Sequence, residues 1–224
     1  MGNEVLQTSG KFNSEGFHQQ FLLKQPKLWW PHDHGEPYLY TSHTEISDAS
    51  GKIIQTISRK VGFRSVKLVM NQGAWSELQG FPKSRSVPPA QFEVNGRKIF
   101  AKGTNWVNPE IFPGIITAER YNKLLDLALK ANFNTLRVWG GGIINKESFY
   151  ELCDEKGLLV WQEFPLACNP YPDNPHYLKI LKQEATSVIT RLKTHPSLAL
   201  WSGGNELFNS WSGMDRPESS ITIA

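Results

Sequence analysis

The chain has 224 residues, 39% of them apolar and 12% aromatic, enough to bury one or two globular cores and too apolar for a disordered polymer. Its formal net charge of +3, with no basic run, gives no case for nucleic acid or an anionic membrane as partner. No stretch approaches the roughly 18 consecutive apolar residues of a membrane-spanning helix.

The first 16 residues show no basic segment followed by an apolar run, so no export signal is visible. The compartment stays open, export of a longer form included. Segments 17–23, 38–46 and 52–59 alternate or are β-rich, and Pro31, Gly35, Pro37 and the turn Asp48-Ala49-Ser50-Gly51 separate them. They read as antiparallel strands, too few for the about seven of a complete sandwich. His32-Asp33-His34 has metal-ligand spacing but lies in a Pro- and Gly-flanked turn without a third ligand, so no metal is expected there. Residues 71–90 carry Gly73, Gly80, Pro82, Pro88 and Pro89 and read as an irregular connection.

After Gln91 strand and helix alternate. Phe92-Glu93-Val94 turns at Asn95-Gly96 into 98–102, which runs on to Gly103-Thr104-Asn105-Trp106. Thr117 caps a helix with Tyr121, Leu124, Leu125, Ala128 and Leu129 on one face. Residues 134–138 form the next strand, ending in Arg137-Val138-Trp139 and the triple glycine Gly140-Gly141-Gly142. A second helix starts at Asn145, turns Phe149, Leu152 and Cys153 inward and stops at Gly157. The apolar run 158–161 suits a parallel strand covered on both faces, and it ends at Gln162-Glu163-Phe164. Pro175 opens a third helix with an apolar face of Leu178, Leu181, Ala185, Val188, Ile189 and Leu192. His195-Pro196 ends it before the strand 198–201 and Ser202-Gly203-Gly204-Asn205-Glu206.

Crossovers of this length imply a parallel sheet, either doubly wound or closed as a barrel. The three glycines lack the GxGxxG spacing of a dinucleotide site. Each strand ends in a polar or Trp cluster: Asn105-Trp106, Arg137 with Trp139, Glu163, and Asn205-Glu206. Such groups at the C-terminal ends of parallel strands mark a binding rim. Glu206 is the candidate for chemistry, although a carboxylate after a strand also serves as an ordinary helix N-cap or first-turn acid. Cys153 and Cys168 have no CxxC spacing and are expected to be free thiols.

The runs Arg137-Val138-Trp139-Gly140-Gly141-Gly142, Phe149-Tyr150-Glu151-Leu152-Cys153-Asp154, Gly157-Leu158-Leu159-Val160-Trp161-Gln162-Glu163-Phe164 and Trp201-Ser202-Gly203-Gly204-Asn205-Glu206 resemble the catalytic barrel of glycoside hydrolase family 2, its β-mannosidase-like members most of all. Trp29-Trp30-Pro31, Pro37-Tyr38-Leu39-Tyr40 and Gly62-Phe63-Arg64 are similar to that family's immunoglobulin-like domain. The resemblance implies an α/β fold. Residues 1–70 would be part of an immunoglobulin-like β-sandwich, and 91–224 the first half, four strands, of a (β/α)8 TIM barrel.

It also implies a retaining exo-β-glycosidase acting on oligosaccharides or glycoconjugates with a terminal β-linked sugar. β-Mannosides lead, with β-galactoside, β-glucuronide and β-glucosaminide specificities, or a non-catalytic carbohydrate-binding role, as alternatives. By the match Glu206 is the general acid/base, Asn205 contacts the sugar 2-hydroxyl, and Arg137 and Trp139 line the terminal-sugar subsite. Asn105, Trp106, Glu163 and Trp211 are assigned to the pocket wall. A retaining glycosidase needs an acid and a nucleophilic carboxylate about 5–5.5 Å apart, and no metal or organic cofactor is required by this route.

The family's second glutamate comes from a late barrel strand and has no counterpart here; neither Glu163 nor Glu218 is given that role. The expectation is a fragment whose unpaired barrel edges favour self-association and which turns over no substrate alone. A soluble monomer that cleaves aryl β-mannosides would contradict this.

Overall fold

The computed structural model describes residues 5–11, 16, 18–72, 90–169 and 171–207. β1 (Tyr40–Ser47) and β2 (Ile53–Val61) form an antiparallel hairpin. Asp48 shapes its turn, its Oδ1 accepting from the backbone of Ser50 at 2.8 Å and Lys52 at 3.1 Å. β3 (Val66–Met70), β4 (Ala90–Val94) and β5 (Arg97–Ile99) form a three-stranded antiparallel sheet. Asn95 and Gly96, at φ 51° and 79°, supply the left-handed pair that a tight hairpin needs. One strand of this sheet precedes residue 71 and two follow 89, so it bridges the two domains expected from the sequence.

The remaining strands, β6 (Gly103–Trp106), β7 (Thr135–Val138), β8 (Leu159–Glu163) and β9 (Leu198–Ser202), build a four-stranded parallel sheet in chain order, as in the opening half of a barrel. Helices α1 (Ala118–Lys130), α2 (Glu147–Lys156) and α3 (Pro175–Leu192) make the crossovers. Thr117 caps α1 by accepting from the Arg120 N–H, Gly157 ends α2 in the left-handed region, and Asn174 with Pro175 opens α3.

Two apolar clusters hold the parts together. On the helix side Leu136, Val138, Val160 and Leu198 pack against Tyr121, Leu125, Phe149, Cys153 and Leu192. Each such large side chain taken out of water contributes about 1.5–3 kcal/mol. In the second cluster Phe92, Val94 and Ile99 of the antiparallel sheet meet Trp29 and Leu159, with Ala199 and Leu200 against them. That sheet therefore plugs the N-terminal end of the parallel strands and leaves their C-terminal ends open. Trp29 is tied further, its indole N–H donating to the Asp154 carbonyl at 2.7 Å, and Arg64 donates to the carbonyls of Pro196 and Leu198.

An ionic knot, buried at His195 and Asp154, fixes where β9 starts. His195 joins Asp154 through Nδ1 at 2.6 Å and Glu147 through Nε2 at 3.0 Å, while the other Asp154 oxygen accepts from the Ser197 N–H at 2.9 Å. Burial pulls the His195 pKa down, but hydrogen bonding and charge from Asp154, then Glu147, outweigh it and the pKa is raised. The sign follows: stability from this group is complete below its unfolded value of about 6.5 and is lost as pH rises through the elevated folded value. Urea midpoints followed from pH 5 to 9 should therefore decline through that window, and His195→Gln should flatten the decline; an equal slope in the variant would refute the assignment.

Four expectations need correction. Residues 18–23 form no strand; Phe21 and Leu22 are exposed at 57% and 80%, without a neighbour to complete a ladder. The hairpin strand stops at Ile99, and β6 begins afresh at Gly103 after three residues outside any strand. Helix α2 starts at Glu147 rather than Asn145, whose side-chain Oδ1 instead accepts from buried Tyr121 and Trp106. Of the face assigned to α3 only Leu192 is fully buried, because among the described residues no further element covers Leu178 and Ile189. Residues 73–89 and all after Leu207, Trp211 and Glu218 among them, lie outside the described residues.

Candidate active site

Arg137 is the centre of the open rim. Period-two alternation puts Asn105, Arg137 and Trp161, which are register partners on β6, β7 and β8, on the face away from the helices. The guanidinium donates from Nε to Glu163 at 2.8 Å, from one terminal nitrogen to Asn105 Oδ1 at 3.1 Å, and from the other to Asn205 Oδ1 at 2.6 Å and Glu163 at 2.7 Å. Its cationic face also lies 5.1 Å from the Trp161 ring centroid. Since a guanidinium only donates, it forces both asparagines to present their carbonyl oxygens. The Asn205 amide nitrogen is thereby turned toward Cys168, whose sulfur accepts from it at 3.2 Å.

Glu163 completes this scaffold from beneath. It is 2% exposed, and its second oxygen accepts from the Gly140 N–H at 2.8 Å. Both oxygens are thus committed, one to Arg137 and one to the loop after β7. The glycines of that loop are explained by close approach: a Cβ at Gly140 would lie 2.6 Å from the Phe164 carbonyl, and one at Gly141 only 2.0 Å from the Trp139 ring. The far end of the Trp139 ring therefore lies against Gly141 in space that a side chain would fill.

Asn205 and Glu206 are set by main-chain pairing. Beyond β8 and β9 the ladder continues, with Asn205 N–H donating to Leu166 at 2.9 Å and Cys168 N–H to Asn205 at 3.0 Å. Glu206 is exposed and left-handed, at φ 51°, a conformation rare enough outside glycine to mark a site held by its surroundings. Among the described residues a cleft of about 380 Å³ is lined by Asn105, Val107, Arg137, Trp139, Cys168, Asn205 and Glu206. A neighbouring cleft of about 280 Å³ lies along Val107, Asn108, Glu110, Ile111 and Trp139.

The structure thus brings Asn105, Arg137, Trp139, Asn205 and Glu206 to one cavity, with Glu163 behind them. Trp106 does not join them. As the strand neighbour of Asn105 its side chain points to the opposite face, where it is 8% exposed and packs on Phe149 at 4.8 Å between ring centroids. Trp161 and Cys168 were missed. Trp161 was readable two residues before Glu163, on the same face, whereas the place of Cys168 depends on its pairing with Asn205. His32-Asp33-His34 is a structural turn in which Asp33 pairs with Lys102 at 2.7 Å.

A rim that offers a carboxylate beside a carboxamide, a cation and an indole face suits a polyhydroxylated ring. Comparison with known proteins gives the family. The β-mannosidase of Rattus norvegicus is 41% identical over 180 residues, 80% of this chain, and the β-mannosidase B of Aspergillus oryzae 33% identical over 205 residues, 92% of this chain. The chain spans only 19% and 23% of those two proteins. Among solved structures, the β-D-mannosidase of Dictyoglomus thermophilum superposes with a TM-score of 0.72 at 39% identity, over 82% of this chain and 21% of that one. The β-glucuronidase 3 of Bacteroides uniformis follows at 0.64 and 26%, over 83% and 20%. Residues 2–64 match the model for glycosyl hydrolases family 2 and residues 86–215 the model for that family's TIM barrel domain, which is more than half of the sequence. The chain belongs to glycosyl hydrolases family 2.

Proposed function

We propose that this rim is the acid/base half of the active site of a retaining exo-β-glycosidase, and that the sugar it takes is a terminal β-mannoside. The observation that carries the reading is the convergence of Arg137, Asn105, Asn205 and Glu206 on one cleft at the open ends of four parallel strands. Glu206 protonates the departing glycosidic oxygen and later deprotonates the incoming water. Asn205 meets the sugar 2-hydroxyl, a hydrogen bond that strengthens as positive charge develops at the anomeric carbon. Trp139 gives the sugar an apolar wall, and Asn105 closes the side. Arg137 positions both asparagines rather than acting on the substrate alone.

Glu163 fits the structural part of this scheme. A carboxylate with one oxygen on a guanidinium and the other on a backbone N–H is a poor nucleophile, and it does not line the cleft. The attacking carboxylate must come from elsewhere in a complete barrel. The mannoside preference rests on the names of the relatives at 33% identity and above.

The test is a chimera in which residues 20–207 replace the matching segment of the Dictyoglomus thermophilum enzyme. It should hydrolyse p-nitrophenyl β-D-mannoside at least about tenfold faster, in kcat/KM, than the corresponding glucoside, galactoside, glucosaminide or glucuronide. Equal rates on all five would remove the mannoside assignment. A folded chimera that binds mannose with the same affinity before and after Glu206→Gln, and cleaves none of them, would leave a carbohydrate-binding module.

A further inference from the structure

Cys168 is the one polar lining residue of the cleft that no step of the proposed chemistry uses. It follows β8, its N–H donates to the Asn205 carbonyl at 3.0 Å, and its backbone lies at φ 52° in the left-handed region. Its sulfur accepts from the Asn205 amide nitrogen at 3.2 Å and lies 3.5 Å from Glu206 Oε2, within reach of a thiol donor. No other side-chain hydrogen bond to Glu206 occurs among the described residues.

We propose that Cys168 is a positioning residue for the Asn205–Glu206 pair. The thiol is both acceptor and donor, which this place demands. Arg137 fixes the Asn205 carbonyl oxygen on one side, leaving the amide nitrogen to be received on the other, and sulfur receives it. The S–H then has one partner, the Glu206 carboxylate, and turns an exposed and otherwise mobile side chain toward the cleft. A relay runs from Arg137 through Asn205 and Cys168 to Glu206, four residues from three strand ends. The groups of formal charge at this corner are Glu206 beside the thiol and Arg137 beyond Asn205, itself balanced by Glu163. The consequence for catalysis rests on the reading of Glu206 as acid/base; the contact itself does not.

The contact has a readout that needs no turnover. Cys153 is fully buried and its thiol is pushed well above the ordinary range by burial, so a thiol reagent distinguishes the two cysteines. The intact chain is labelled with the neutral disulfide 4,4′-dithiodipyridine at pH 7, with Cys168→Ala as the background. The S–H is held against the Glu206 carboxylate, and the reagent must break that contact to reach the sulfur. Glu206→Ala, and Glu206→Gln as a second replacement, should therefore speed labelling of Cys168 by about three- to tenfold, the order of one modest hydrogen bond. Rates equal to the unaltered chain in both variants, with unchanged melting curves, would overturn the proposal. D-Mannose added at saturation separates the two ideas. Protection of Cys168 from the reagent supports the sugar site, and absence of protection beside a persisting Glu206 effect sinks the sugar reading while the Cys168 contact stands.

Discussion

Replacing Arg137 by methionine should lower the unfolding free energy by about 3 kcal/mol, the largest loss expected from any single change at the rim. The side chain is 23% exposed but its partner Glu163 is 2% exposed, so removal of the cation leaves a carboxylate in the interior with one backbone N–H for company. The penalty is chiefly that of an unpaired buried charge, not of a lost attraction. It follows that Arg137→Met with Glu163→Gln should recover a large part of the loss, because both charges then disappear together. Denaturant unfolding of Arg137→Met, Glu163→Gln and the double variant measures this directly. A loss below about 1 kcal/mol in the single variant, as for an exposed pair, would show that Arg137 is not the keystone described here.

The second large effect concerns Glu206, and it falls on activity alone. The side chain is exposed and makes one side-chain hydrogen bond among the described residues, so Glu206→Gln should leave stability within about 0.5 kcal/mol. In an enzyme completed by the rest of a barrel, loss of a positioned general acid/base should cost roughly 10²–10⁴ in rate. The pairing of a large kinetic effect with an unchanged melting curve separates a catalytic carboxylate from a helix-capping one, whose removal costs about 1 kcal/mol of stability and little rate.

Much of this arrangement was legible in the residues. Thr117 with the face from Tyr121 to Leu129, Gly157 as a helix stop, and the apolar runs of β8 and β9 are local signals, and each element lies within two residues of its expected place. The gathering of Asn105, Arg137, Asn205 and Glu206 follows from topology, since right-handed crossovers bring all strand ends to one side. Trp106 shows what was overlooked. Asn105 and Trp106 are consecutive in a strand and must point to opposite faces, so one of them belonged to the core. Other features are long-range and have no local mark: β3 pairs with β4 across the 19 residues 71–89, and Cys168 reaches Glu206 only because Ala167 pairs with Asn205. The periodicity of α3 reports the face that packs in a finished layer, which the described residues supply only at Leu192 and Val188.

The central claim, that Glu206 is the acid that protonates the leaving oxygen, is tested most directly by varying that oxygen. In the chimera, kcat/KM for methyl β-D-mannoside and for 2,4-dinitrophenyl β-D-mannoside is compared before and after Glu206→Gln. A methoxide cannot leave without a proton, whereas dinitrophenolate can, so the variant should lose roughly 10²–10⁴ on the methyl glycoside and less than about tenfold on the aryl one. Equal losses on both would mean that Glu206 shapes or binds the site without delivering the proton, and the assignment would be wrong.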